Sequence, residues 1–379
     1  AMPDENASWA NGLVARAAAV VEELIVPALE DLDAAVRAVD GRSNQEAGAL
    51  FQPGGGEYYA AVLRHFISVD MTPEQVHQSG LEQVERVVTE LTAELDGLGY
   101  DATTDFARAM RRAAADAGAM PTTSGTEREA VLERTNATIA EASTVFAAMF
   151  SLRPDSALDV VRPRPGREGG SGAYYRSPPI DGTRYGLYYL SLGGSEFGVL
   201  TMDTTTYHEG IPGHHFQLAL QRSMDHLPLH QRVFDFAGYA EGWALYSERL
   251  AYEAGLYDDN PLGNVGRLQM ELLRASRMVV DTGIHWGGWS RNDAVDYMLG
   301  LGFDRGRAEA EVDRYIVWPG QAPAYMVGML EILQLRNKAI AELGDSFDLV
   351  GFHDALLSQG SVPVGLLEDV VDQWVESFL

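Results

Sequence analysis

Apolar residues recur at spacings of three and four through most of this chain, which favours helices. The pattern is clear in LVARAAAVVEELIVPALEDLDAAVRAV and again in MTPEQVHQSGLEQVERVVTELTAELDGLGY, where Thr72 and Pro73 form a helix-start signal. It stops at the Pro- and Gly-rich stretch RPRPGREGGSGAYYRSPPIDGTR. The following RYGLYYLSL is short and rich in Tyr and Leu, as strands often are. The sequence therefore predicts a mainly α fold, with a helical region over 1–150, a second over 151–379 and an edge strand near 185–192, all in one continuous body.

Composition excludes several classes of partner. The formal net charge is −27, whereas nucleic acids and anionic membranes require a basic surface. No apolar run is long enough for a transmembrane helix, and the acidic start has no apolar signal region, so we expect a cytoplasmic protein. Because the chain has no cysteine, a bound metal would need His, Asp or Glu ligands.

The stretch TYHEGIPGHHFQ resembles the H-E-x-x-H signature of zinc proteases, but Pro212 stands where the second histidine belongs. On a straight helix neither His214 nor His215 could share an ion with His208. Pro212 cannot donate a backbone hydrogen bond, and the glycines on either side permit unusual backbone angles. We predict a break over 210–213 that places His214, rather than the alternative His215, in the second ligand position.

A third ligand is expected on the downstream helix YAEGWALYSERL. Glu241 is the candidate there, with Glu248 as a competing ligand or a partner of a ligating histidine. Glu209, next to His208, would be the general base of a zinc hydrolase. A polar helix end that binds no metal is the alternative interpretation of the histidines.

The segments HEGIPGHHFQ, AEGWALYSERL, VVDTGIHWGGWS, YIVWPGQAPAYMVG and FHDALLSQGSVPVGLLE resemble the bacterial domain-of-unknown-function 885 family. The resemblance runs from Pro53 to the C-terminus. It implies a helical, gluzincin-like fold with a deep cleft, related to the thermolysin-like metallopeptidases, and a zinc-dependent peptidase activity.

The matched segments add further candidates. His285 could stabilise an oxyanion or pack against tryptophan. Gln321 could bind substrate, and the hydroxyl of Tyr325 or Tyr315 could face the oxyanion, although core packing is the alternative for either tyrosine.

Two more candidates have ordinary structural alternatives. Arg277 could bind a substrate carboxylate or form a helical salt bridge with Asp281, which we favour. His353 could contact substrate, with capping or packing favoured.

The sequence predicts a Zn²⁺-dependent hydrolase that cleaves an amide bond in a short peptide or an N-acyl amino acid. One alternative is a tailoring enzyme of a small metabolite, in which zinc acts as a Lewis acid or Fe²⁺ occupies the two-histidine, one-carboxylate site. Another is a relative that binds a ligand without catalysis. The sequence does not predict the oligomeric state.

Overall fold

The computed structural model describes residues 4–40, 46–164, 167 and 172–378. It is mainly helical with small sheets, as the sequence predicted. The chain divides into two compact units, Ala1–Glu46 and Ala47–Leu379. The residues on both sides of position 150, where the two regions of the predicted continuous body meet, belong to the second unit.

The first unit consists of α1 (Asp4–Val20) and α2 (Val26–Asp40), joined by the π-helical turn Val21–Ile25. Many of its large apolar side chains are exposed, including Trp9 and Leu24.

The second unit contains fourteen α-helices among its described residues. They are α3 (Gly55–Ile67), α4 (Pro73–Gly97), α5 (Phe106–Ala117), α6 (Gly125–Val145), α7 (Met202–Glu209), α8 (His214–Ser223), α9 (Leu229–Val233), α10 (Ala237–Glu253), α11 (Pro261–His285), α12 (Arg291–Gly300), α13 (Arg305–Val317), α14 (Ala324–Leu343), α15 (Leu349–Leu357) and α16 (Leu367–Glu376). Short 3-10 turns lie at Ala49–Phe51, Phe146–Ala148, Gly344–Ser346 and Val364–Leu366.

The start of α4 shows how local sequence sets a helix boundary. The hydroxyl of Thr72 accepts a hydrogen bond from the backbone of Gln75, whose side chain accepts one from the backbone of Thr72. Pro73 occupies the first turn, where it needs no hydrogen-bond donor. This reciprocal cap satisfies two backbone N–H groups that the helix itself cannot satisfy.

Two helix pairs form the centre of the second unit. Helix α4 packs along α11, and α10 packs along α14. Glycines allow the backbones to approach closely in both pairs: a Cβ on Gly80 would lie 2.7 Å from the Cβ of Met278, and one on Gly242 would lie 2.5 Å from the backbone of Gly328. The second contact fixes the spacing of α10 and α14, which carry Glu241 and Tyr325.

The five described strands form two small sheets. Strands β1 (Ala119–Pro121) and β5 (Glu196–Gly198) pair antiparallel. In the other sheet, β4 (Gly186–Leu190) lies between β2 (Leu158–Val161), which is parallel to it, and β3 (Ala173–Arg176), which is antiparallel.

The strand expected near 185–192 is present as β4, but it is not an edge strand. No strand was predicted for either neighbour: β2 directly precedes the Pro- and Gly-rich stretch, and β3 lies within it. An edge that could pair with an extended ligand is therefore provided by β3 or β2 in the described part of the sheet. None of the helices described here combines the length and apolar character needed to cross a membrane.

Candidate metal centre

The helix carrying His208 breaks where the sequence predicted. Helix α7 ends at Glu209, and α8 begins at His214. The backbone N–H of Gly213 donates to the carbonyl of Tyr207 at 3.0 Å, a bond that residue 211 would make in a regular helix. Two residues are therefore looped out.

Gly213 is required by close approach of the backbone. A Cβ at this position would lie 2.0 Å from the carbonyl oxygen of His208. The indole Nε1 of Trp243, on α10, donates to the carbonyl of Pro212 at 2.8 Å. The break is thus attached to the helix that carries Glu241.

The break brings His208 and His214 together, with ring centroids 4.7 Å apart. The Oε2 atom of Glu241 lies 3.1 Å from Nε2 of His214 and 3.5 Å from Nε2 of His208. One ligand atom from each of the three residues lies within 4.8 Å of the others. Although burial disfavours its charged form, the adjacent histidines hold the pKa of Glu241 well below its usual range.

Glu248 occupies the other side of the His208 ring. Nδ1 of His208 donates to Oε1 of Glu248 at 2.8 Å, and Glu248 also accepts from the hydroxyl of Thr204 and pairs with Arg274. Burial opposes protonation of His208, but Glu241 and Glu248 raise its pKa to about 9. The hydrogen bond to Glu248 occupies Nδ1 and turns Nε2 toward the other residues of the cluster, an arrangement typical of metal-binding histidines.

Glu209 is buried beside this cluster. Burial raises its pKa, the neighbouring histidines lower it, and the charge of Glu241 raises it. Burial, together with the charge of Glu209, raises the pKa of Tyr188 on β4.

His215, the alternative ligand, is not part of the cluster. Its Nδ1 lies 3.0 Å from the hydroxyl of Tyr175 on β3, and burial lowers its pKa to about 4. A Cβ on Gly186 would lie 2.6 Å from this nitrogen, so the ring is tightly packed between α8 and the sheet.

Tyr325 is the candidate nearest to the histidines. Its ring stacks on His208 with centroids 6.3 Å apart, and the guanidinium of Arg277 lies 4.5 Å from its centroid. Burial and the charge of Glu241 raise its pKa. Gln321 lies close by and accepts a hydrogen bond from Arg314 at 2.6 Å.

Arg277 does not form the predicted bridge to Asp281. It pairs with Glu311 on α13, at 3.0 and 3.1 Å to the two oxygens, and donates to the hydroxyl of Tyr315. Tyr315 in turn donates to Glu311, so its hydroxyl is engaged and buried.

Asp281 instead accepts hydrogen bonds from the hydroxyl of Tyr59 at 2.7 Å and from the backbone of Gly320. These partners, distant in sequence, replace the expected partner one helical turn away.

His285 and His353 are both structural in this fold. Nε2 of His285 donates to the carbonyl of Tyr315, and its Nδ1 accepts from the backbone of Ala49. His353 is fully buried between the carbonyl of Met149 and the hydroxyl of Tyr246. Both nitrogens of each ring are therefore engaged within the protein. This agrees with the packing or capping role favoured for His353, and it does not support the oxyanion role considered for His285.

Thr204 and the buried arginines other than Arg277 were not predicted from the sequence. Thr204 precedes His208 by one helical turn, which places it on the same face. The buried surface of α11 carries three arginines: Arg267, Arg274 and Arg277. Charged residues repeated on an apolar helix are a signal that could have identified these buried arginines.

Over residues 2–371 the sequence matches the family described as "Bacterial protein of unknown function (DUF885)", and the chain belongs to that family. A search of curated proteins finds no match.

Two solved structures are similar to this one. The crystal structure of the "putative lipoprotein" from Colwellia psychrerythraea is 36% identical, with a TM-score of 0.92, and the alignment covers 97% of this chain and 63% of that one. The "putative lipoprotein of unknown function" from Shewanella oneidensis is 21% identical, with a TM-score of 0.73 and coverages of 93% and 64%. The chain thus spans less than two thirds of either relative, and the second comparison supports the fold alone.

Proposed function

We propose that this member of the bacterial DUF885 family is a zinc-dependent hydrolase that cleaves an amide bond in a short peptide or an N-acyl amino acid. The observation that carries the proposal is the convergence of His208, His214 and Glu241, with the remaining nitrogen of His208 held by Glu248. Polar side chains at a structural helix end have no need for this ordered second layer.

The donor set fits zinc. Two imidazole nitrogens and one carboxylate oxygen form a common set of protein ligands in catalytic zinc sites, which keep a further position open. A zinc ion held there would act as a Lewis acid and lower the pKa of a coordinated water. The same donors also suit Fe²⁺, but Glu209 beside them favours hydrolysis because a base has an immediate role there.

The chain's own residues have distinct roles in this proposal. Glu209 removes a proton from the attacking water as the water oxygen bonds to the amide carbon, and it returns the proton to the leaving nitrogen as the C–N bond breaks. Because burial raises its pKa, Glu209 is suited to both transfers. Tyr325, which stacks on His208, is the candidate for stabilising the developing oxyanion.

The arrangement also supports a relationship to the gluzincin fold. A histidine-bearing helix is followed by a second helix that provides a glutamate ligand, here α10 with Glu241, and a small sheet lies against the first helix. We propose a substrate cleft between that sheet and α13–α14, on the side where Glu241 and His214 keep partial exposure.

The first test is metal content. Protein reconstituted with zinc and then desalted should retain the ion in the wild type and in His215→Ala, but lose it in His214→Ala and Glu241→Ala. The same proteins are then assayed on dipeptides and N-acyl amino acids. Zinc retention by His214→Ala, or a preference for iron with oxidative chemistry, would contradict the proposal. Zinc and ligand binding without turnover would indicate a binding protein instead.

A further inference from the structure

Three arginines surround Tyr325: Arg274 and Arg277 on α11, and Arg314 on α13. A fourth, Arg307 on α13, lies near Arg274 and Arg277. Two of their guanidinium groups lie over the Tyr325 ring, and a third, that of Arg314, reaches its hydroxyl at 3.5 Å. This concentration of positive charge is unusual in a chain with 55 acidic residues and only 28 Lys and Arg. It lies directly beside the proposed metal ligands, because Tyr325 stacks on His208.

The arginines are only partly neutralised. Glu248 forms a salt bridge with Arg274. Glu311 forms a close one with Arg277 and lies 3.7 Å from Arg314. Within the described parts of the chain Arg307 has no carboxylate at salt-bridge distance, and its buried Nε has no hydrogen-bond partner. Burial and the neighbouring Arg274 and Arg277 lower the pKa of Arg307 even though Glu311 opposes the shift, and the surrounding positive charge holds the pKa of Glu311 at about 2. The cluster therefore retains positive charge that an incoming anion can neutralise.

Arg314 is the member that a ligand can reach. Its side chain is 30% exposed, whereas those of Arg274 and Arg277 are 6% and 8% exposed. Its guanidinium donates to Gln321 and Tyr325 and lies 3.7 Å from an oxygen of Glu311, so among the described residues no carboxylate is within hydrogen-bond distance of it. The guanidinium also lies 5.6 Å from the ring centroid of Trp318, which is 48% exposed and contacts Phe66. Arg314 thus provides a cation beside a half-exposed aromatic ring.

We infer that Arg314 is a specificity-determining residue that binds a free carboxylate of the substrate, next to the amide bond that is cleaved. The inference rests on the proposed hydrolase function and restricts it to substrates such as peptides with a free C-terminus or N-acyl amino acids. A planar guanidinium binds a carboxylate through two parallel hydrogen bonds, and this geometry distinguishes the acid from its amide. Tyr325 contacts both residues, Arg314 through its hydroxyl and His208 through its ring, so the cation lies one aromatic side chain away from the proposed metal ligand.

The experiment compares two ligands that differ only in this group. N-acetyl-L-phenylalanine and N-acetyl-L-phenylalaninamide are titrated calorimetrically into the wild type, Arg314→Gln, Arg314→Lys and Arg305→Gln. Arg305 lies on the same helix, is exposed and pairs only with Glu309, so it is the matched control. The wild type and Arg305→Gln should bind the acid about 10- to 100-fold more tightly than the amide, since hydrogen bonds between charged groups are worth that much. The ratio should fall to about one in Arg314→Gln and recover in part in Arg314→Lys.

Equal binding of acid and amide by the wild type, no binding of either at millimolar concentration, or a ratio preserved in Arg314→Gln would each overturn the inference. Thermal unfolding of Arg314→Gln checks that the variant is folded, and Arg314→Lys provides a second measurement that keeps the charge. The titrations are made with and without zinc. Carboxylate preference without zinc binding would contradict the hydrolase proposal alone, and zinc-dependent cleavage of neutral amides at equal rates would contradict the role of Arg314 alone.

Discussion

Nδ1 of His208 lies 2.8 Å from Oε1 of Glu248, and this bond orients the ring so that its other nitrogen faces Glu241 and His214. In the proposed site Glu248 is therefore a positioning residue, whereas Glu241 would provide a ligand atom. Their effects on metal affinity should differ.

We expect Glu241→Ala to abolish retention of zinc and Glu248→Ala to weaken zinc affinity by about 10- to 100-fold, the usual effect of removing a partner of a ligating histidine. Competition with a chelating dye measures both. Glu253→Ala, on the same helix but paired with Arg249 and Arg336, is the control. A larger loss in Glu248→Ala than in Glu241→Ala would exchange the two roles.

Glu209→Gln should retain zinc and the fold but lose hydrolysis by about 10²- to 10⁴-fold, because the amide cannot accept a proton from water. The variant keeps the shape of the side chain, so stability and metal content are measured alongside the rate. Full activity with zinc bound would remove Glu209 from the mechanism.

Gly213→Ala should destabilise the protein by about 2–3 kcal/mol, since the added methyl group would overlap the carbonyl of His208. Zinc affinity should fall with it, because relief of the overlap moves His214. Gly97→Ala, at the end of α4, places a methyl group in open space and serves as the control. Urea unfolding gives the first quantity, and unchanged stability of Gly213→Ala would mean that the loop adapts without strain.

Asp281 should make stability depend on pH. Burial raises its pKa to about 7 despite hydrogen bonds from Tyr59 and Gly320 and the charge of Arg314. Since an unfolded aspartate titrates near pH ~3.9, the folded state binds the proton more tightly. The contribution of protonated Asp281 to the free energy of unfolding is fully present below about pH 3.9, the unfolded value. It is lost as the pH rises through about 7.

Asp281→Asn stays neutral at every pH. Its free energy of unfolding should therefore fall less than that of the wild type between about pH 4 and pH 7. One proton accounts for at most about 1.4 kcal/mol per pH unit in this range. Urea unfolding at a series of pH values measures this, with the exposed Asp345→Asn as control. Parallel curves for the wild type and Asp281→Asn would show that Asp281 titrates normally.

The helix break was predictable because its cause is local. A proline without an N–H, between two glycines, disrupts a helix in any context, and the position of His214 follows from the number of residues looped out. Glu241 was favoured over Glu248 as the ligand, but helix geometry alone does not separate the two, because seven residues return to the same helix face. Only the tertiary position of the His208 ring, with one nitrogen toward each glutamate, separates them.

Long-range partners explain the wrong assignments. Arg277 was expected to pair within its helix, but Glu311 on α13 offers both oxygens, while Asp281 is used by Tyr59 and Gly320. β4 was expected at an edge because no strand was predicted beside it: β3 lies within the Pro- and Gly-rich stretch, which resembles a loop, and β2 directly precedes that stretch. Such partners follow from topology, which the periodicity of a single segment does not encode.

The contact between Gly242 and Gly328 sets the distance between helices α10 and α14. Each glycine lies within a few residues of the side chain that its helix contributes, Glu241 on one and Tyr325 on the other. Any side chain at either glycine would act as a spacer, because a Cβ on Gly328 would lie 1.8 Å from the carbonyl of Gly238. The reach of Glu241 toward the histidines is therefore set by two residues that carry no functional group, and attempts to redesign this site must leave both unchanged.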